Sequence, residues 1–171
     1  MIYVVRHGET EWNAINKVLG RTDIPLNARG LEQAQELACT LKDLKIDVFL
    51  CSPLQRARQT ADAVSNELGI PYRIDSRLIE QNFGKFEGVS RLDREYQEAK
   101  REYFARYPGG ESFFDVAARV FPLIKEIGEA NALLVTHGGI CRMIRSYFED
   151  MGNEEFVRFS QGNCEIRMYP R

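Results

Sequence analysis

Histidine is scarce in this sequence. His7 and His137 are the only two among 171 residues, too few to complete a structural zinc site with the cysteines. Those cysteines, Cys39, Cys51, Cys141 and Cys164, are widely spaced with no Cys-x-x-Cys pair, so they read as buried thiols. A basic excess is also missing: Lys and Arg number 23 against 25 Asp and Glu, a formal net charge of -2. Without a basic stripe there is no sequence-wide case for nucleic-acid binding, and any anion site has to be local. The sequence has no run of about 18 apolar residues and no basic-then-apolar leader, which leaves a membrane span and a signal peptide unsupported. The cytoplasm is the default expectation. Repeats, linkers and low-complexity stretches are absent too. With 44% hydrophobic and 28% charged residues, the chain has the composition of a folded globular protein, and a single domain over residues 1–171 is expected.

What is present is a pattern that occurs twice. Ile2-Tyr3-Val4-Val5 is β-branched or aromatic and wholly apolar, as expected of a strand buried on both faces of a parallel sheet, and it runs directly into Arg6-His7-Gly8. Ala132-Leu133-Leu134-Val135-Thr136 repeats the pattern and ends in His137-Gly138-Gly139, followed by an apolar helical stretch from 140 to 148. A single Arg-His pair after a strand is ordinarily just a polar strand end. Here both histidines of the chain sit at a strand exit beside glycine. The carboxyl ends of neighbouring parallel strands converge where ligands bind in open α/β sheets, so the two imidazoles are expected to meet. A Cys141–His137 nucleophilic pair is the weaker reading, because Cys141 falls on the inward side of its helix.

Between these strands the pattern alternates strand and helix. Residues 14–26 carry turn residues, and Gly20-Arg21-Thr22 is either a plain connection or an anion-binding turn. Asn27 caps a helix with Leu31, Ala34, Leu37, Ala38, Leu41 and Leu44 at three- and four-residue spacing. Residues 48–51 read as a strand, and Ser52-Pro53 as cap and first position of a helix that carries Arg56 in its first turn. Tyr72 to Ser76 read as a third strand leading toward Glu80. Residues 87–107 mix charges of both signs and read as a solvated helix at the rim of the site. Glu111 and Ser112 open an apolar helix. Residues 155–159 and 163–169 read as terminal strands, the second alternating Cys164, Ile166 and Met168 against Glu165 and Arg167. The expected fold is α/β: a three-layer α/β/α sandwich with a mostly parallel sheet and an antiparallel edge strand.

Six ordered motifs carry a resemblance. Arg6-His7-Gly8-Glu9-Thr10-x-Trp12-Asn13, Asp23-x-Pro25-Leu26, Ser52-Pro53-x-x-Arg56-Ala57-x-x-Thr60-Ala61, Glu80-x-x-Phe83-Gly84-x-x-Glu87-Gly88, Pro108-x-Gly110-Glu111-Ser112 and Thr136-His137-Gly138-Gly139 resemble the histidine phosphatase superfamily, in its phosphoglycerate mutase-like branch. They span residues 6 to 139 in the family's order. Phe86 stands where many members have tryptophan, a change expected at the pocket wall.

The resemblance implies a phosphomonoesterase acting through a phosphohistidine on a small phosphorylated metabolite. It makes His7 the nucleophile and Glu80 the general acid, with Arg6, Arg56 and His137 as the phosphate pocket. Thr10, Asn13, Gly20 and Gly138 would add substrate contacts. No metal and no cofactor are implied. A neutral imidazole needs a backbone acceptor to fix its tautomer, and Glu80 has to reach the leaving oxygen still protonated, which burial and the phosphate charge favour. A phosphoglycerate mutase, an inactive phosphate-binding module and a metal hydrolase on His7, His137 and Glu80 are the alternatives. Against the mutase stands the short, charge-balanced 87–107 segment; the counter-reading is that Arg91, Arg94 or Arg106 converges on the site and a partner subunit supplies the cover. No nucleic-acid or membrane partner is expected, and neither the substrate nor the oligomeric state is set by the sequence.

Overall fold

The computed structural model describes residues 1–170. Ile2–Arg6 (β1), Val48–Cys51 (β2), Arg73–Ile74 (β3), Ala132–Thr136 (β4) and Ile166–Tyr169 (β5) form one five-stranded sheet in the order β3-β2-β4-β1-β5. All pairings are parallel except β1 with β5. The helices are Glu11–Ala14 (α1), Ala28–Thr40 (α2), Gln55–Leu68 (α3), Arg94–Ala99 (α4), Phe113–Ile127 (α5), Gly138–Phe148 (α6) and Asn153–Arg158 (α7). The chain steps outward from β1 to β2 to β3, then returns to place β4 between β2 and β1. Crossovers between parallel strands are right-handed, so the helices made before and after this reversal cover opposite faces.

The strands show why they had to be buried on both sides. Ile2, Val4, Leu50, Ala132 and Leu134 join the core beneath α5 and α6, while Val5, Phe49, Cys51, Leu133 and Val135 join the core beneath α2 and α3. Successive side chains point to opposite faces, and with helices on each face every position of Ile2 to Val5, Val48 to Cys51 and Ala132 to Val135 is apolar. A third, smaller cluster of Val18, Phe83, Phe86, Tyr96 and Tyr107 lies apart from the sheet and holds the cover of the site together.

Several local readings are corrected. The third strand is two residues long, Arg73–Ile74, rather than 72–76. Residues 155–159 belong largely to helix α7, whose first turn carries Glu154 and Glu155 and whose last carries Arg158, charges that suit the helix dipole. The 87–107 segment is helical only over Arg94–Ala99, since Tyr96 and Tyr107 are drawn into the third cluster and the backbone bends at Gly88 with φ +85°. Leu31 of α2 and Met168 of β5 face solvent instead of core. The N-cap of α3 is Leu54, which releases Ser52 for another partner.

Candidate active site

Register brings the histidines together. Arg6 pairs with Thr136 across the parallel β1–β4 ladder, so His7 and His137 leave the sheet at the same level, and His7 N donates to Thr136 O at 2.9 Å. Their rings lie 5.1 Å apart, centroid to centroid. On the far side of β4, Ser52 N donates to Val135 O, which sets Ser52 beside His137.

His7 is buried, and its Nδ1 lies 2.7 Å from Gly8 O. A carbonyl only accepts, so Nδ1 carries the proton and Nε2 keeps its lone pair, toward which Arg56 Nε donates at 3.3 Å. Burial, then the positive charges of Arg56 and Arg6, hold the imidazole well below its ordinary value, and it is neutral at neutral pH. His137 is depressed likewise, by burial and then by Arg56 and His7. Its Nε2 lies 2.6 Å from Ser52 Oγ, while Nδ1 is buried with no protein partner. Ser52 Oγ also receives Leu54 N at 3.4 Å, and in the tautomer in which the Ser52 hydroxyl donates to Nε2, His137 Nδ1–H is an unclaimed donor.

The arginines are fixed by backbone. Arg56, fully buried, donates to Gly20 O at 2.7 Å and Thr22 O at 2.9 Å, and burial lowers it to about 10. Arg6 donates to Gln161 O at 2.6 Å and keeps a buried Nε with no acceptor. Glu80, also buried, accepts from Gln81 N at 2.8 Å and Gly139 N at 3.1 Å. Gly139 has no room for a side chain: a Cβ there would stand 2.6 Å from Glu80 Oε1.

His7, Arg6, Arg56, Glu80, Gly20, Asn13 and Gly138 line one cavity of about 190 Å³. His137 and Ser52 are not among its lining residues; the His137 ring packs against His7 and is bonded to Ser52. Thr10 does not line the cavity. Its hydroxyl accepts from Asn13 N and its own N–H donates to Asn13 Oδ1, both at 3.2 Å, so it holds Asn13 in place with a buried, unpaired Nδ2. The Gly20-Arg21-Thr22 turn is not an open anion nest either: Arg21 N and Thr22 N are taken by the Glu87 carboxylate at 2.8 Å each. Phe86 packs behind Tyr96 and Tyr107 rather than lining the cavity. Cys141 lies in the core with its thiol pushed up by burial, away from any nucleophilic role. Among the described residues no three His, Cys, Asp or Glu side chains converge as a metal-holding group. No helix among them is long and apolar enough to cross a membrane.

Sequence reasoning missed the clasp from the far end of the chain. Gln161, fully buried, donates to Val4 O and Glu165 O and receives Arg6 through its carbonyl, and Asn163 Nδ2 donates to His7 O at 2.9 Å. Nothing in Ser160-Gln161-Gly162-Asn163 marks it from an ordinary polar turn. Thr60 Oγ1, which accepts Gly8 N at 3.0 Å, had a signal in its spacing from Arg56. Arg91, Lys100 and Arg142 also line the cavity, Arg91 as the counter-reading has it, whereas Arg94 and Arg106 are absent from its lining and pair with Glu98 and Asp115.

The histidine phosphatase superfamily (branch 1) matches residues 2–169. A protein named probable phosphoglycerate mutase GpmB, from Escherichia coli O1:K1, is 35% identical over 148 residues, covering 80% of this chain and 69% of that one. Among solved structures, a mycobacterial glucosyl-3-phosphoglycerate phosphatase in complex with VO3 is similar with a TM-score of 0.85 at 28% identity, over 96% of this chain and 90% of the other. TTHB049 from Thermus thermophilus gives 0.73 at 38% identity, over 86% and 84%. With its sheet order, its paired histidines and a match over nearly its whole length, the chain belongs to branch 1 of the histidine phosphatase superfamily.

Proposed function

We propose that the chain is a phosphomonoesterase that works through a phosphohistidine and needs no metal. The observation that carries this reading is a pair of buried donors without protein acceptors, Arg6 Nε and Asn13 Nδ2, lining the cavity of a neutral imidazole whose Nε2 carries no proton, with the unpartnered His137 Nδ1 on the ring packed against it. Buried donors left unpaired are costly, about 1–3 kcal/mol each, and an oxyanion satisfies them together. Such donors, fixed before the reaction, stabilise the charge on the equatorial oxygens of a phosphoryl group in transfer.

In the first step His7 Nε2 forms a bond to phosphorus as the ester P–O bond breaks, and Glu80 gives its proton to the leaving alkoxide. In the second, water attacks phosphorus, the Glu80 carboxylate takes the water's proton, the P–N bond breaks and phosphate leaves. The phosphatase named among the structural relatives supports hydrolysis. A mutase is the second reading, favoured by the name of the E. coli relative and by the cations lining the outer cavity.

His7→Ala is expected to abolish turnover of p-nitrophenyl phosphate, and acid-labile phosphate is expected on His7 after rapid quenching of the wild type. Full steady-state activity in the alanine variant would end the proposal. Rapid interconversion of phosphoglycerates primed by bisphosphoglycerate, outpacing phosphate release from every monoester, would favour the mutase.

A further inference from the structure

Resting on the phosphomonoesterase reading, we infer that Arg119, which lies outside the cavity, is a positioning residue for Glu80. Through Glu111 and the carbonyls of Arg77 and Glu80 it sets where the main chain of the proton donor stands, and so how fast a poor leaving group departs.

Residues 79–83 belong to no helix or strand, so no ladder fixes the backbone that carries Glu80. Side chains hold it instead. Glu80 O receives Arg119 Nη2 and Arg21 Nε, each at 3.3 Å, on a carbonyl whose two lone pairs accommodate both. Before it in the chain, Arg77 O receives Arg119 Nη1 at 2.5 Å. After it, Asn82 N donates to Glu111 Oε2 at 2.9 Å, and Glu111 N donates back to Asn82 O at 2.8 Å.

Glu111 ties the two arginines together. Its carboxylate takes Arg119 side-on, Nε on Oε1 at 3.3 Å and Nη2 on Oε2 at 3.2 Å, and takes Arg21 Nη2 on Oε1 at 2.8 Å. The side chains of Arg119 and Glu111 are both 17% exposed. Elsewhere α5 turns Val116, Val120, Leu123 and Ile124 into the core, whereas at Arg119 it holds a guanidinium spent on Glu111 and two carbonyls. Only a planar fork of donors reaches all three acceptors at once, and a lysine ammonium does not reproduce it.

The Glu80 carboxylate is aimed by Gln81 N at 2.8 Å and Gly139 N at 3.1 Å. These bonds orient the group, but its reach to the leaving oxygen depends on where the backbone stands, and a misplacement of about 1 Å costs roughly 10²-fold in rate. Arg119 does not line the cavity, so its loss leaves Arg6, Arg56 and His7 on their own partners. Proton donation is therefore expected to suffer while attack on phosphorus does not.

The test sets phenyl phosphate against p-nitrophenyl phosphate on the full chain, since the two differ in how much the leaving oxygen needs a proton. The parameter is kcat/KM, which reports the step that breaks the ester bond even where hydrolysis of the phosphohistidine limits kcat. Arg119→Met is expected to lower it for phenyl phosphate by about tenfold or more beyond any loss on p-nitrophenyl phosphate. In a Glu80→Gln background the same substitution is expected to add less than about twofold on phenyl phosphate, because the donor it positions is already gone. Equal losses on both esters, or a full further loss in the Glu80→Gln background, would show a merely structural role and overturn the assignment. Where Arg119→Met does not fold, Arg119→Lys, which keeps the charge without the fork, is read by the same criteria. Should the wild type hydrolyse neither ester, the phosphatase reading fails, and amide hydrogen exchange followed by NMR still decides the positioning. Exchange at Gln81 and Gly139 accelerated more than at Leu134 in the sheet upholds it, and equal acceleration removes it.

Discussion

Glu87→Gln exchanges one oxygen for an NH2 group and tests how Arg56 is held. The carboxylate accepts four hydrogen bonds, from Arg21 N at 2.8 Å and Phe83 N at 3.3 Å on Oε1, and from Thr22 N at 2.8 Å and Thr22 Oγ1 at 2.5 Å on Oε2. These bonds shape the turn whose Gly20 and Thr22 carbonyls receive Arg56. A glutamine retains one acceptor oxygen, so two donors are left facing an NH2. Hydrogen bonds to charged groups contribute about 1.5–3 kcal/mol each, and at the lower end, suited to a half-buried group, the loss is about 3 kcal/mol. In a chain of this length that corresponds to a fall in Tm of roughly 6–12 °C. Thermal melts followed by circular dichroism read the stability. Vanadate inhibition at 25 °C, well below the melt, reads the displacement of Arg56, and a rise of about tenfold in the inhibition constant is expected. A Tm within about 2 °C of wild type, with unchanged vanadate affinity, would refute the chain of support from Glu87 to Arg56.

Gly139→Ala is expected to lower kcat at least tenfold, because the new Cβ displaces Glu80, while alanine's helix preference offsets part of the cost of that displacement in Tm. Glu80→Gln is expected to slow alkyl phosphates by roughly 10²–10⁴ and p-nitrophenyl phosphate, whose leaving group needs little protonation, far less; equal losses on both would remove the proton-donor role. His7 and His137 are held below their unfolded values, so the unfolded chain binds more protons in mild acid. Their contribution to stability is therefore fully present above about pH 6.5 and is lost as pH falls, by at most about 2.7 kcal/mol per pH unit for two protons. Urea midpoints between pH 5 and 7.5 measure it, and an undiminished slope in His7→Gln/His137→Gln would contradict it.

The sheet and the histidine pair are legible because unbroken apolar strands ending in His-Gly have few other uses, and ladder register then forces His7 beside His137. Ser52 misleads because Ser-Pro before a helix has the same pattern as a cap, whereas its hydroxyl goes to His137. α7 imitates a strand through Phe156, Val157 and Phe159, although its charges already mark helix ends. The inward turn of Arg91 and Lys100 has no sequence signal, because it depends on Tyr96 and Tyr107 folding into a cluster with Phe83 and Phe86. Gln161 and Asn163 are invisible for a related reason: their partners, Arg6 and His7, lie more than 150 residues away.

β1 is flanked by β4 and β5, and its pairing begins with Ile2 against Ala132. Once synthesised, this strand therefore has no neighbour until about 130 residues later, which at ribosomal speeds of about 5–20 residues per second is roughly 6–26 s. Throughout that interval Ile2-Tyr3-Val4-Val5 is an unpaired apolar strand on a nascent chain, the kind of segment that chaperones bind and aggregation recruits. The placement that lets His7 meet His137 makes the strand that carries His7 a hazard of biosynthesis until the ribosome delivers Ala132–Thr136.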